Sequence, residues 1–154
     1  MGKLNSRYFS MRDKKVYLML ILFVFLVFFG CTKSPSHKDP FVPESTDIVS
    51  SYKGIENVAR LKDFIRNVRN EKEDQIRVVS YTKEGDPIIS DISFNGESLE
   101  VERDTTLDKY GENTITNHHC KSISVMKDEN NHDQYILTEC SGFQRPYYLG
   151  TDKK

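Results

Sequence analysis

The chain has 154 residues, with 22 Lys and Arg against 23 Asp and Glu, a net charge of −1 and 37% hydrophobic residues. Beyond an N-terminal apolar segment, this length is enough for one domain with one core. From residue 31 onward there are 17 basic and 22 acidic side chains, and this net charge of −5 argues against a nucleic-acid partner.

Residues 16–30 form an uncharged, strongly apolar run that ends at Gly30-Cys31. A membrane-spanning helix needs about 20 such residues, so this run fits the hydrophobic region of a signal peptide better. A basic segment precedes it, as such signals require. That segment contains Lys3, Arg7, Arg12, Lys14 and Lys15. The pattern resembles a bacterial lipoprotein signal, in which a small residue precedes the cysteine that becomes lipidated.

We therefore expect a signal peptide over 1–30 and acyl chains, palmitate among them, on Cys31. Either Met1 or Met11 can start this signal, because residues 11–15 alone supply a basic segment. The alternative is an uncleaved signal anchor with an unmodified Cys31. Lipidation predicts an exported protein that is anchored to the outer face of the cytoplasmic membrane.

Residues 31–46 contain three prolines and many Ser, Thr and charged residues, a composition typical of an extended tether. A domain over 47–146 and a tail over 147–154 follow. A short strand is expected at 47–52 and a helix at 57–70, where apolar residues recur at three- and four-residue spacing. Asn57 is the candidate N-cap. The helix also carries four basic residues, which we interpret as a solvated face: Arg60, Lys62, Arg66 and Arg69.

After the helix the apolar period changes to two, which predicts strands at 75–82, 88–94 and 98–103. Asn95-Gly96 is a strong hairpin signal between the last two. Residues 104–118 read as a long polar connection, and a second hairpin joins 120–127 to 133–140. The predicted fold class is α+β, with one N-terminal amphipathic helix packed on an antiparallel meander of about five strands.

The second hairpin places Cys120 opposite Cys140, in the same register that pairs Val125 with Tyr135. Exported domains permit disulfides, so we predict a Cys120–Cys140 bond. A metal site with His118 and His119 is the weaker alternative, because neighbouring residues of a strand point to opposite faces. We expect no metal and no cofactor.

Two polar segments, Y-T-K-E-G-D-P-I at 81–88 and D-T-T-L-D-K-Y-G at 104–111, complete the pattern. Together with Cys120 and Cys140 they resemble an uncharacterised family of small lipoproteins from spore-forming Gram-positive bacteria, over about residues 41–142. The resemblance implies the location, the domain limits and the cysteine pair, and it assigns no activity. The residue types suit turns, yet loops often carry function. The candidate binding surface comprises Glu84, Asp86, Asp104, Thr105, Thr106, Asp108 and Tyr110.

Catalytic signatures such as G-x-S-x-G, H-E-x-x-H or a Gly-rich phosphate loop do not occur in the sequence. We expect a non-catalytic binding module, held at the membrane by its lipid, that binds a protein or another envelope component. The alternative is a lipoprotein that binds a small molecule or an ion with loops 84–88 and 104–111. An enzyme is the third hypothesis, with Cys120 beside His119 as its reactive pair.

Overall fold

Strands dominate the computed structural model, which describes residues 41–153. They make up 47% of this part, in two sheets, and there is one short helix. The expected signal peptide, the lipidation of Cys31 and tether residues 31–40 lie outside the described residues. The elements are β1 (Ile48–Ser51), β2 (Gly54–Glu56), α1 (Val58–Arg69), β3 (Asp74–Tyr81), β4 (Pro87–Phe94), β5 (Leu99–Asp104), β6 (Ile115–Cys120), β7 (Ser122–Lys127), β8 (Asp133–Thr138) and β9 (Tyr147–Asp152).

The predicted fold class, a helix on a meander of about five strands, is wrong. The helix and the expected strands are present, but β2, β6 and β9 bring the strands of residues 41–153 to nine in two sheets. β6 lies in the expected polar connection, and β9 lies where we expected a tail. The sequence of β6, I-T-N-H-H-C, lacks an apolar face because this strand is at an edge and most of its side chains stay in contact with solvent.

The larger sheet has the strand order β2-β1-β3-β4-β5-β6. β1 runs parallel to β3, whereas the other neighbours are antiparallel. A parallel pair requires a crossover, and here the chain crosses through β2 and α1 before it returns as β3. The Asn95-Gly96 hairpin joins β4 to β5 as predicted, although only Gly96 has a positive φ, 96°.

α1 lies one residue inside the predicted span at each end. Leu61, Phe64 and Ile65 are buried, as the apolar spacing predicts. Asn57 occupies the N-cap position, but its side chain makes no capping hydrogen bond. Its amide instead donates to the carbonyl oxygen of Thr46 at 3.2 Å, which ties the start of the helix to the segment before β1.

Arg60 fastens the helix to β3 and does not belong to a solvated basic face. Its guanidinium donates to both carboxylate oxygens of Asp74, at 3.0 and 2.7 Å, and Asn67 donates to the same carboxylate at 2.9 Å. Burial alone raises the pKa of Asp74, but the hydrogen bonds from Arg60, Asn67 and the backbone of Gln75 outweigh it. The pKa of Asp74 is therefore lowered, and the ionised carboxylate stabilises the folded state.

The core lies between the inner face of the larger sheet, α1 and the smaller sheet. Along β3, β4 and β5 buried side chains alternate with more exposed ones, which is the period of a strand with one covered face. The smaller sheet, ordered β7-β8-β9, contributes side chains that are at most 2% exposed. These are Tyr135, Leu137 and Leu149.

The register predicted for the second hairpin is confirmed, because Val125 lies opposite Tyr135 on β7 and β8. β9 then pairs with β8 and packs against β1 and β2. Gly150 of β9 has a φ of 149°, and a Cβ atom there would lie 2.5 Å from Ser50 Oγ and 2.6 Å from Ile55 Cγ1. Only glycine allows β9 to approach so closely.

The predicted disulfide between Cys120 and Cys140 is present. Its position differs from the expected one, since the two cysteines do not extend the β7–β8 hairpin. Cys120 ends β6, opposite Leu99 of β5, and Cys140 follows β8. The bond therefore links the larger sheet to the segment that leaves the smaller sheet.

Candidate functional site

The outer face of the larger sheet lines a shallow cavity of about 800 Å³. Its floor contains a row of side chains in register on four neighbouring strands. The row consists of Arg77, Asp91, Glu102 and Asn117. A second row, one step of the strand period away, consists of Gln75, Ser93, Glu100 and His119, of which the first three line the cavity.

Strand alternation explains why these polar residues share one face. On β5, Leu99 and Val101 are buried while Glu100 and Glu102 are exposed. Successive side chains of a strand point to opposite faces, so the inner positions build the core and the outer ones line the cavity. The motif L-E-V-E shows this alternation in the sequence, but it lies outside the candidate binding surface expected in the two loops.

Residues 44–47 form one wall of the cavity. The backbone N–H of Glu44 donates to Asp47 Oδ2 at 2.8 Å, and the N–H of Asp47 donates to the carbonyl oxygen of Glu44 at 3.1 Å. Asp47 is 5% exposed. The last residues of the expected tether are thus held against the sheet, and the domain begins at about residue 44.

Carboxylates outnumber cations in this cavity. Arg77 donates from Nε and Nη2 to the two oxygens of Asp91, at 2.8 and 3.1 Å. This contact, followed by the negative charges of Asp91, Asp47 and Glu44, raises the pKa of Arg77. Within residues 41–153, no basic side chain forms an ion pair with Glu100 or Glu102. The lining carries one cation, Arg77, and five carboxylates: Glu44, Asp47, Asp91, Glu100 and Glu102.

The two loops predicted as a binding surface come together at one end of the larger sheet. Asp86 is 7% exposed, and its Oδ2 accepts the backbone N–H of Lys109 at 3.1 Å. The ammonium of Lys109 also lies 3.3 Å from Asp86 Oδ1. These contacts join loop 82–86 to loop 104–114.

Most polar groups of these loops bind other atoms of the same loops. Asp104 accepts the N–H of Thr106 at 2.7 Å, and Asp108 accepts that of Tyr110 at 3.0 Å. Thr105 is 5% exposed, and its Oγ1 donates to the carbonyl oxygen of Thr114. Glu84, Thr106 and Tyr110 are exposed. The loops contribute no residue to the lining of this acidic cavity, and their internal hydrogen bonds support turn chemistry.

His118 and His119, next to Cys120, contact the segment that follows β8. One ring nitrogen of His118 lies 2.8 Å from the carbonyl oxygen of Ser141, and the ring stacks on Phe143. The backbone N–H of His119 donates to Ser141 Oγ at 2.9 Å. Cys120 is in the disulfide, and residues 41–153 contain no group of three or more His, Cys, Asp or Glu that could hold a metal ion.

Comparison with known proteins identifies a family only. Neither the curated proteins nor the solved structures include a match to the chain. No helix in the part of the chain that the structure describes has the length and apolar character needed to cross a bilayer. Residues 45–136 match the family profile described as a domain of unknown function, DUF4362, and this segment contains both cavity rows, the two loops and Cys120. Because the match covers more than half of the chain, the protein belongs to the DUF4362 family.

Proposed function

We propose that this protein is an exported lipoprotein, anchored through Cys31, whose domain binds a basic segment of an envelope protein on the open face of its larger sheet. The binding is non-catalytic. The observation that carries the proposal is the cavity of about 800 Å³ with five carboxylates and one arginine. A concave, polar face with one dominant sign of charge concentrates ligands of the opposite sign.

The arrangement of the carboxylates also favours a cationic ligand. Asp91 and Glu102 lie directly opposite each other on β4 and β5, and like charges at such positions repel. Arg77 compensates Asp91, but Glu102 has no ion-pair partner among the described residues. A bound Lys or Arg side chain would offset this repulsion. The relief of a repulsion that exists in the free protein would therefore add to the free energy of binding.

The size of the face fits a short extended peptide. Four strands at about 4.8 Å spacing span about 14 Å, the length of roughly four residues of extended chain. The two polar rows run across these strands and offer carboxylate, amide and hydroxyl acceptors. Glu100 and Glu102 lie two positions apart on β5, the spacing of alternate side chains in an extended chain, so a segment with alternating basic residues that runs along β5 could place one cation over each.

The order of side chains in the second row supports binding over nucleophilic catalysis. A serine nucleophile needs a histidine within hydrogen-bond reach to accept its proton. Here Ser93 and His119 lie on strands β4 and β6, with Glu100 of β5 between them. The carboxylate thus separates the two groups that would have to exchange a proton.

Anchoring at Cys31 would keep this face close to the membrane. The hydrophobic run that ends at Gly30-Cys31 supports this part of the proposal. Twelve residues separate Cys31 from the turn at Glu44, and an extended chain of that length reaches about 40 Å. Partners that the domain can reach are therefore envelope proteins at or near the outer face of the membrane.

The test measures binding of a fluorescent tetralysine peptide to the mature chain in detergent. We expect saturable, salt-sensitive binding that Glu100→Gln/Glu102→Gln weakens about tenfold, since about 1.4 kcal/mol of attraction is lost. The control, Glu112→Gln/Glu129→Gln, removes the same charge from exposed turns and should bind like the parent protein. An equal loss in both variants would show that only net charge matters and would refute the site.

A photo-crosslinking amino acid then identifies the partner in cells. Placed at Asn117, at the edge of the cavity, it should capture an envelope protein that the same label at Glu129 does not. Loss of this product in the Glu100→Gln/Glu102→Gln background would tie the partner to the open face. Capture that is unaffected by the double substitution would contradict the proposal.

A further inference from the structure

A second cleft, of about 350 Å³, lies between the C-terminal half of α1 and strands β7 and β8. Its buried lining residues are Ile65, 4% exposed, and Tyr135, 1% exposed. Its other lining residues are Lys62, Arg66, Arg69, Asn70, Val125 and Asp133. Three of the four basic residues of the predicted helix patch therefore border one concave site, and apolar side chains lie beside them.

The hydroxyl of Tyr135 is buried in this region, and although the ammonium of Lys62 lies close enough to act on its oxygen as a weak donor, its proton has no acceptor within residues 41–153. Buried polar groups are normally paired, and because an ammonium group can only donate, the Tyr135 hydroxyl still lacks an acceptor for its proton. Burial raises the pKa of Tyr135, and although the ammonium of Lys62 opposes this effect, the hydroxyl stays protonated at neutral pH. It is therefore a donor for a ligand oxygen.

The charged residues of the lining are Lys62, Arg66, Arg69 and Asp133, and Lys62 is already bound to Asp152 at 2.9 Å, so the arginines are the cations left for a ligand. Arg69 forms no ion pair with any described residue, and Arg66 pairs only with Asp63, where both side chains are more than half exposed. The acid in the lining, Asp133, is already bound by Lys127 at 2.7 Å. Exposed ion pairs are weak, so these arginines can reorient toward a bound anion.

Basic residues in the last turn of a helix also stabilise the helix dipole, which accounts for Arg66 and Arg69 without any ligand. It does not account for the unpaired hydroxyl of Tyr135 or for the cleft beside it. Both features are explained together if an acceptor with a negative charge enters the cleft.

We propose that this cleft binds a small soluble organic anion, a carboxylate or phosphate on an apolar body. Arg69 and Arg66 bind the anionic group, and the Tyr135 hydroxyl donates to one of its oxygens. The apolar body packs against Ile65 and Val125. A volume of about 350 Å³ is at the small end of ligand pockets, which suits a single ring or a short alkyl chain.

Titration of the isotope-labelled mature chain with phenyl phosphate, followed by NMR, tests this proposal. We expect saturable shifts of residues on α1 and β8 with a dissociation constant below about 1 mM. Benzoate should bind at the same residues, whereas inorganic phosphate and benzyl alcohol should each bind at least about tenfold more weakly, because each supplies half of the recognition. Absence of saturable binding would overturn the proposal.

Two variants and one control make the test specific. Tyr135→Phe should weaken phenyl phosphate binding about fivefold while raising the melting temperature of the free protein, because an unpaired buried hydroxyl is removed. Arg69→Gln should weaken binding about tenfold, and Arg145→Gln, an exposed arginine outside the cleft, should not. Unchanged binding by Tyr135→Phe, or an equal loss in Arg145→Gln, would refute the site. The cleft variants should bind tetralysine normally, so this proposal fails or holds independently of the proposed function.

Discussion

Reduction of the Cys120–Cys140 disulfide should destabilise the domain by about 3 kcal/mol. The bond closes a loop with a sequence separation of 20, and the chain-entropy relation for a loop of that length gives this value. For a domain of this size, each kcal/mol corresponds to about 4 °C in melting temperature, so reduction should lower it by about 12 °C.

The structure also predicts which part of the domain loses stability first when the disulfide is reduced. Cys120 is 2% exposed at the end of β6, and Cys140 leads out of the smaller sheet. Without the bond, the contact between β6 and residues 139–142 depends on hydrogen bonds such as those of His119 and Ser141. Amide exchange should therefore accelerate first in β6 and residues 139–142, before it accelerates in β3 and β4.

Thermal melts of the mature chain, with and without a phosphine reductant, measure the effect. The control is the Cys120→Ala/Cys140→Ala variant, which should melt near the reduced protein and should not respond to reductant. Alanine is preferable to serine because a hydroxyl at position 120 would be buried. A free thiol at Cys120 or Cys140 in the purified oxidised protein, or a melting temperature that reductant does not change, would refute the reasoning.

Three further predictions concern other parts of the chain. Cys31→Ser should abolish labelling by a clickable fatty acid and leave unprocessed precursor, because no thiol remains to acylate; unchanged labelling would exclude Cys31 as the lipid site. Gly150→Ala should cost more than about 2 kcal/mol in chemical denaturation, because its Cβ would collide with β1 and β2 at a positive φ, whereas Gly85→Ala, with open space around it, should cost less. The pKa of Asp74 is lowered, so its stabilising contribution is complete above about pH 4 and is lost as the pH falls through the lowered value. Asp74→Asn should therefore reduce stability at pH 7 and flatten the acid side of the stability profile, and a parallel profile would contradict this.

Local patterns predict the helix and most strands, because each depends on its own sequence. The apolar stripe of α1 and the alternation along β3, β4 and β5 reflect burial of one face. The register of the β7–β8 hairpin follows from its turn. Strands at the margins were missed because β6 exposes polar side chains and because β9 contains a glycine that its packing requires. The parallel pairing of β1 with β3 depends on the whole crossover and is not visible locally.

The candidate sites also differ in how far the sequence alone could predict them. Carboxylates in loops 84–88 and 104–111 stood out in the sequence, yet the structure uses Asp86, Asp104 and Asp108 for hydrogen bonds within and between those loops. In the sequence, the acidic face of the sheet shows only ordinary strand alternation, and its residues meet only when the three registers between β3, β4, β5 and β6 align them. The unpaired hydroxyl of Tyr135 depends on neighbours from α1 and β9, so no sequence pattern could reveal it.

The connection between the two sheets has a consequence for biosynthesis. Chains emerge from the ribosome from the N-terminus, at about 5–20 residues per second. Every strand of the larger sheet has emerged once residue 120 is out, but Cys140 and the whole of β9 follow later. Until Cys140 has emerged, Cys120 is therefore a free thiol at the end of a sheet whose strands can already pair. In a fragment cut at the end of the family match, residue 136, Cys120 would remain a free thiol, because Cys140 and β9 would be missing and β8 would be shortened. Residues 137–152 complete β8, supply Cys140 and form β9, so the rate of maturation should depend on when these residues become available.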